Sequence, residues 1–163
     1  MKTLLVVFHS RTGGTRQMAE AAIAGAVEAG GVDTRMLLAP QATGADLLAA
    51  DGYLFASPEN LAALAGAMKE FFDRTYYEVL GQISGRPYAA LICAGSDGHN
   101  ALRQIERIAT GWRLRRVADT LIVCTHAQTP EAILASKTIP PDALARCREV
   151  GATLAAGLEL GVY

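Results

Sequence analysis

The sequence of 163 residues contains no apolar run near the roughly 20 residues that a membrane-spanning helix needs. Its short apolar stretch at residues 4–8 leads into polar residues rather than a small-residue cleavage site, so we interpret it as a strand and not as a signal peptide. Charge of either sign is also scarce, and the net charge is -1. Such a balance provides no field that attracts nucleic acid or an anionic membrane. We therefore expect a cytoplasmic protein with no membrane span and no nucleic-acid partner.

Cysteine is limited to Cys93, Cys124 and Cys147, which form no C-x-x-C pair and have no histidine at metal-ligand spacing. These residues predict reduced thiols and no metal site. Cys93 opens a C-A-G-S-D-G-H stretch that imitates a phosphatase loop, but His99 stands where that loop requires arginine. Because apolar burial raises a thiol pKa, we interpret Cys93 as a buried strand residue rather than a nucleophile. No catalytic side chain is predicted.

The informative segment is residues 4–29, which reads as a buried strand, a polar turn and an amphipathic helix. Three hydroxyls and two glycines occupy the turn, at Ser10, Thr12, Thr15, Gly13 and Gly14. A helix N-terminus offers free N–H groups and a partial positive charge, so this turn predicts a phosphate site. No lysine followed by Ser or Thr succeeds the glycines, and G-x-G-x-x-G is absent, which disfavours a Walker loop and a dinucleotide fold. We expect the anion to be held without a lysine.

Apolar runs alternate with helical periodicity along the rest of the chain. Strands are predicted at residues 4–8, 34–39, 52–56, 88–94 and 120–124. Helices are predicted after the first turn, at residues 45–50, 61–77 and 101–112, and from Pro140 and Pro141 to the end. Each strand is apolar enough to be covered on both faces, which favours an α/β fold with a parallel sheet between helices. No linker or repeat is visible, so we expect one domain over residues 1–163.

Three segments carry a resemblance to a known family. The turn resembles the S/T-x-T-G-x-T phosphate loop of flavodoxin-like proteins at Ser10, Thr12, Gly13 and Thr15. DGYLFASPENLAALAGAMKEFFDR, at residues 51–74, and LICAGSDGHN, at residues 91–100, are similar to the flavin-binding segments of flavodoxin-like NAD(P)H-dependent FMN and quinone reductases. The resemblance implies a flavodoxin-like three-layer sandwich with a five-stranded parallel sheet in the order 2-1-3-4-5.

By position, the resemblance implies which residues bind FMN. The phosphate would contact Ser10, Arg11, Thr12, Gly13, Gly14 and Thr15. The isoalloxazine ring would lie against Pro58, Glu59, Asn60 and Leu61, and its far edge would meet Ala94, Gly95, Ser96 and Gly98. The roles of three residues stay open. Arg11 either clamps the phosphate or points into water, and Glu59 either faces the ring or is a solvated charge at a loop tip. His99 either donates a hydrogen bond, to flavin O2 or to a substrate oxygen, or has only a local role.

The resemblance implies an FMN-dependent oxidoreductase that takes hydride from NAD(P)H and reduces a quinone or other small-molecule electron acceptor, by a ping-pong route. The two ring-binding loops contain no Trp, Tyr or Phe, unlike those of acidic flavodoxin carriers, so one face of the flavin would stay open to a substrate unless a partner subunit supplies a ring. A non-enzymatic FMN electron carrier and a binding module with weak flavin affinity are the alternatives. The family often forms homodimers or homotetramers, and we expect association here.

Overall fold

A parallel β-sheet forms the middle layer of the fold in the computed structural model, which describes residues 1–163. Its central strands are mostly apolar because helices cover both faces of the sheet there. The strands are β1 (Lys2–Phe8), β2 (Val32–Leu38), β3 (Gly52–Asn60), β4 (Ala63–Leu64), β5 (Pro87–Ala94), β6 (Arg115–Arg116) and β7 (Leu121–Cys124). The helices are α1 (Gly14–Ala29), α2 (Gly44–Ala49), α3 (Gly66–Val79), α4 (His99–Gly111), α5 (Pro130–Leu134) and α6 (Pro141–Leu160). No helix combines the length and hydropathy that crossing a membrane requires.

The sheet has the order β2-β1-β3-β5, and both β6 and β7 then pair with β5 in parallel. Strand β6 pairs with the start of β5, and β7 pairs with its last four residues. These two short strands thus share the position of one fifth strand. The predicted flavodoxin-like order 2-1-3-4-5 is confirmed, with the five predicted strands corresponding to β1, β2, β3, β5 and β7.

Two apolar cores lie on opposite faces of the sheet. Helices α1 and α6 pack on one face, and α2, α3 and α4 contribute to the core on the other. Helices α1 and α6 approach each other closely at Gly25 and Gly151, because a Cβ atom at either glycine would collide with the backbone of the other helix. This contact packs α1 against α6, and the short turn after β1 places the N-terminus of α1 at the carboxyl end of that strand.

Two sequence predictions are wrong in detail. Helix α3 begins at Gly66 and not at residue 61, because β3 runs on to Asn60 and turns back through Leu61 and Ala62, at φ 50° and 59°, into the antiparallel strand β4. Strand β2 is not covered on both faces: it lies at the sheet edge and exposes Asp33 and Arg35. The short elements β4, β6 and α5 were not predicted, since two to five residues carry no periodicity.

Candidate functional site

A cavity of about 360 Å³ opens at the carboxyl ends of β1, β3 and β5. Open α/β sheets bind ligands at this edge, where the strand order reverses. Its walls come from the turn before α1, the β3–β4 hairpin, the loop after β5 and a fourth segment that follows β7. The lining residues are Ser10, Arg11, Thr12, Gly14, Thr15, Pro58, Glu59, Asn60, Leu61, Ala62, Cys93, Ala94, Gly95, Ser96, Thr125, Ala127, Gln128, Ile133 and Lys137.

The structure thus brings together all the predicted site residues except Gly13, Gly98 and His99. The two glycines still shape the turns, because each precedes a helix with a positive φ, 93° at Gly13 and 92° at Gly98. The His99 side chain is 76% exposed, and its Nδ1 lies 2.6 Å from Oδ1 of Asp97. This hydrogen bond lowers the pKa of the Asp97 carboxyl. His99 therefore lies outside the cavity wall.

The first turn of α1 has unused hydrogen-bonding groups. The N–H of Gly13 donates to Ser10 Oγ over 3.1 Å, but the N–H groups of Gly14, Thr15 and Arg16 have no acceptor within the chain. The Thr15 hydroxyl is buried and also has no partner. A buried polar group without a hydrogen bond is costly and rare in native proteins. This end of the cavity therefore fits an oxygen-rich anion.

A lysine distant in sequence, which the sequence analysis did not place near the site, reaches this turn. The N–H of Lys137 donates to the Thr12 carbonyl over 2.9 Å, and Lys137 Nζ lies 3.4 Å from Thr12 Oγ1. Gln17 holds the same segment in place: its Nε2 donates to the carbonyls of Gly13 and Lys137, and its Oε1 accepts from the N–H of Ile139. No sequence spacing indicates a contact between residues 125 positions apart.

The β3–β4 hairpin forms one wall and is held by polar contacts at its base. The Ser57 hydroxyl, which is fully buried, donates to the Pro58 carbonyl over 2.8 Å and accepts from the N–H of Ala65 over 3.3 Å. Beyond this anchor Leu61 is completely exposed at the tip. The amides of Leu61 and Ala62 donate to no atom of the chain. The hydrogen-bonded base of the hairpin thus places an apolar tip and free N–H groups at the opening of the cavity.

Glu59 is not the solvated charge considered from the sequence. Its carboxylate is half-buried and accepts from the N–H of Gly98 over 2.9 Å and from the N–H of Ala101 over 3.2 Å. Helix α4 has no capping side chain of its own. Glu59 therefore caps α4 from the hairpin, where the positive end of the helix dipole favours a carboxylate. This contact connects the β3–β4 hairpin to the loop after β5, which form two walls of the cavity.

Cys93 lies in the floor of the cavity, where burial raises the pKa of its thiol to about 11 while the charge of Lys137 opposes the shift. A thiol with so high a pKa is a poor nucleophile, consistent with the interpretation of a structural residue. Its sulfur explains a glycine in the turn: a Cβ atom at Gly14 would lie 2.7 Å from Cys93 Sγ. The turn before α1 and strand β5 thus pack closely against each other.

Segment 125–137 is the part of the site that sequence reasoning missed. Thr125, Ala127 and Gln128 follow β7, whose carboxyl end lies at the same sheet edge, so the position of that strand was an available signal. Ile133 and Lys137 had no such signal. The only charged side chains in the wall are Arg11, Glu59 and Lys137, and no aromatic side chain is among the lining residues.

Comparison with known proteins places the chain in a family. A family model described as NADPH-dependent FMN reductase matches residues 39–128. This range includes the hairpin, the loop after β5 and the start of the fourth segment, but not the turn before α1. The interpretation of that turn rests on its own sequence pattern and geometry and not on the family match.

Individual relatives match parts of the chain. A flavodoxin from Aquifex aeolicus (strain VF5) is 36% identical over 98 residues, which cover 60% of this chain and 53% of that protein. An NAD(P)H dehydrogenase (quinone) from Acidithiobacillus ferrooxidans (strain ATCC 53993 / BNL-5-31) is 30% identical over 95 residues, covering 46% and 48%. The aligned regions thus span about half the length of these two relatives.

Solved structures share the architecture. A flavodoxin from the domain Archaea superposes with a TM-score of 0.77 at 18% sequence identity, over 96% of this chain and 99% of that chain. At this identity the likeness shows a flavodoxin-like fold. Together with the family match over more than half of the sequence, it leads to one assignment: the chain belongs to the NADPH-dependent FMN reductase family.

Proposed function

We propose that this protein binds FMN in the cavity and acts as an NAD(P)H-dependent oxidoreductase that reduces a quinone or another small acceptor. The observation that carries the proposal is the buried Thr15 hydroxyl, which lacks a partner beside three free N–H groups of α1. A phosphate oxygen would satisfy these groups, and charge-assisted hydrogen bonds to it would be among the stronger ones in the protein. The FMN reductase family and the quinone-reductase relative support the cofactor and the reaction class.

Different walls of the cavity would bind different parts of the cofactor. Ser10, Thr12, Gly14 and Thr15 would hold the phosphate, as the family resemblance implies, and the hairpin and the loop after β5 would hold the ring. The N–H groups of Leu61, Gly95 and Ser96 have no acceptor in the chain and are available to ring oxygens and nitrogens. Bound FMN would accept two electrons from reduced nicotinamide and pass them to the acceptor. The protein's part is to bind, orient and shield, so no acid or base is required.

The absence of aromatic side chains in the cavity wall favours an enzyme over a dedicated electron carrier. A flavin covered on both faces by aromatic rings exchanges electrons through its edge, whereas an uncovered face allows a nicotinamide or quinone to stack on it. Stacking contributes on the order of 1 kcal/mol per aromatic contact, so FMN would bind more weakly than it does in a ring-stacked site. The Aquifex relative is named a flavodoxin, which makes electron transfer to a protein partner the second candidate.

Two measurements test the proposal. Titration of FMN with the apoprotein should quench flavin fluorescence with a dissociation constant in the micromolar range or below, and the visible spectrum should show bound oxidised flavin. Under anaerobic conditions NADPH or NADH should bleach the bound flavin, and a quinone should restore it. Absence of FMN binding would overturn the proposal. If FMN bound tightly but neither NADPH nor NADH bleached the bound flavin, the protein would be an electron carrier and not an NAD(P)H-dependent enzyme.

Self-association is a further expectation that light scattering tests. A dimer or tetramer could bring a neighbouring subunit's side chains over the open face of the ring, which the chain itself leaves without aromatic cover. A strictly monomeric species that turns over NADPH and quinone would show that one subunit forms the complete site.

A further inference from the structure

We propose that Lys137 is a phosphate-binding residue that makes the cavity select FMN over unphosphorylated riboflavin. The inference rests on the proposed function and adds a residue that lies outside both the family match and the phosphate-loop pattern. The ligand chemistry that it recognises is a phosphomonoester dianion. The segment that carries Lys137 joins α5 to α6 and lies over the turn before α1.

The position of Lys137 is held by several contacts that do not involve its charge. Its N–H donates to the Thr12 carbonyl over 2.9 Å, and its own carbonyl accepts from Gln17 Nε2 over 2.7 Å. Gln17 also accepts from the N–H of Ile139 over 3.0 Å. The backbone of Lys137 is therefore hydrogen-bonded both to the turn before α1 and to the first turn of that helix. A side chain so placed approaches the cavity with little freedom to lose when a ligand binds.

The ammonium group of Lys137 has no counter-charge in the chain. It lies 2.8 Å from the Ile133 carbonyl, 2.6 Å from the Ala135 carbonyl and 3.4 Å from Thr12 Oγ1, and all three acceptors are neutral. None of the eight ion pairs of the chain includes it. Its field nevertheless acts in the cavity, since it opposes the rise in the Cys93 pKa. The three neutral acceptors take all three N–H groups of the ammonium, so a phosphate group with a charge of about -1.5 to -2 would act on Lys137 as the missing counter-charge, through attraction between opposite charges.

The contact with Thr12 also orients a hydrogen-bond donor. A hydroxyl has one proton and two lone pairs, and the Lys137 ammonium occupies one of the lone pairs of Thr12 Oγ1. The hydroxyl proton is then free for an anion in the cavity. Thr15 Oγ1, buried and without a partner in the same wall, independently indicates that a polar ligand belongs there. Lys137 thus brings a positive charge without a counter-charge to the site and orients the Thr12 hydroxyl.

The experiment compares FMN and riboflavin as ligands, because they differ only in the phosphate. Dissociation constants are measured by fluorescence quenching for the wild type, Lys137→Gln, Lys137→Arg and the control Lys69→Gln. Lys69 pairs with Asp73 on the surface of α3 and is not among the cavity-lining residues. Lys69→Gln removes the same positive charge as Lys137→Gln but leaves the cavity unchanged. Lys137→Gln should weaken FMN binding about 10- to 100-fold, the range for attraction between opposite charges a few ångströms apart and partly shielded from water, and riboflavin binding less than about twofold. Lys137→Arg should restore most of the loss, and Lys69→Gln should bind like the wild type.

The ratio of the two dissociation constants separates the possible outcomes. Equal weakening of FMN and riboflavin in Lys137→Gln would overturn the inference, since the lysine would then only hold the segment in place. Unchanged affinity for both flavins in a folded Lys137→Gln protein would also overturn it, although the proposed function would stand because the wild type binds FMN. A wild type that binds neither flavin would refute the proposed function itself. Lys137→Met, which keeps an unbranched and flexible side chain without the charge, replaces Lys137→Gln if circular dichroism shows that the latter is unfolded.

Discussion

Thr15→Val should stabilise the apoprotein and weaken FMN binding at the same time. Valine has nearly the shape of threonine but lacks the hydroxyl, and Thr15 Oγ1 is buried with no hydrogen-bond partner. A buried polar group left unsatisfied costs about 1–3 kcal/mol, and an apolar group of the same shape avoids that cost. The two effects have opposite signs because the hydroxyl has a partner only when the ligand is bound.

The expected magnitudes follow from this difference. The free energy of unfolding of the apoprotein should rise by about 1 kcal/mol, which corresponds to about 2–4 °C in Tm for a chain of this size. FMN affinity should fall by about 1.5–3 kcal/mol, or roughly 10- to 150-fold, because a hydrogen bond to a charged phosphate is lost. Riboflavin affinity should stay within about twofold.

Urea unfolding of the apoprotein and fluorescence titration with both flavins measure the two effects. Thr75→Val is the matched control, because Thr75 is also buried on a helix but its hydroxyl donates to the Phe71 carbonyl over 2.8 Å. That variant should lose about 0.5–1.5 kcal/mol of stability and keep its FMN affinity. If Thr15→Val instead destabilised the apoprotein by more than about 1 kcal/mol and bound FMN normally, the hydroxyl would have a structural role and the phosphate argument would fail.

Two further predictions concern contacts around the cavity, and a third concerns the remote N-terminal cap of α2. Glu59→Gln should lower the free energy of unfolding by about 1–2 kcal/mol in urea, since the cap of α4 loses its charge; an unchanged value would show that the cap is not needed. Gly14→Ala should be destabilising, and less so beside Cys93→Ala, with a coupling of about 1 kcal/mol or more in a double-mutant cycle; strict additivity would contradict the 2.7 Å approach. At Asp46, burial opposes ionisation, but hydrogen bonds from Thr43 and Arg35 outweigh it and lower the carboxyl pKa, so this group contributes stability above its unfolded pKa of about 3.9 that is lost as the pH falls further. Asp46→Asn should therefore flatten the acid side of the stability profile, and an unaltered profile would assign the acid sensitivity to other carboxyls.

The strands and the turn before α1 could be predicted because their signals are local. Apolar runs such as residues 4–8 and 88–94 became β1 and β5, and the polar turn between β1 and α1 forms one end of the cavity. The start of α3 was missed because positive φ angles at Leu61 and Ala62 reverse the chain, and neither residue type signals such a turn.

The role of Glu59 could not be predicted from the neighbouring residues in the sequence. From the sequence it was a charge in a loop, either near the ring or in water. In the structure its carboxylate accepts hydrogen bonds from N–H groups about 40 positions away, at Gly98 and Ala101. Whether such a residue is a cap, a ligand or a solvated charge depends on which helix begins beside it, and this depends on how the strands are ordered in the sheet.

The amino-acid sequence by itself determined the alternation of strands and helices, the parallel sheet between two helical layers and the hydroxyl-rich turn before α1, because hydrophobic periodicity and turn chemistry act over a few neighbouring residues. Only the tertiary structure decided that Lys137 reaches Thr12, that Cys93 requires glycine at residue 14 and that the Thr15 hydroxyl has no partner. These contacts join distant parts of the chain at one edge of the sheet. Their existence depends on packing and strand order, which no short stretch of residues encodes.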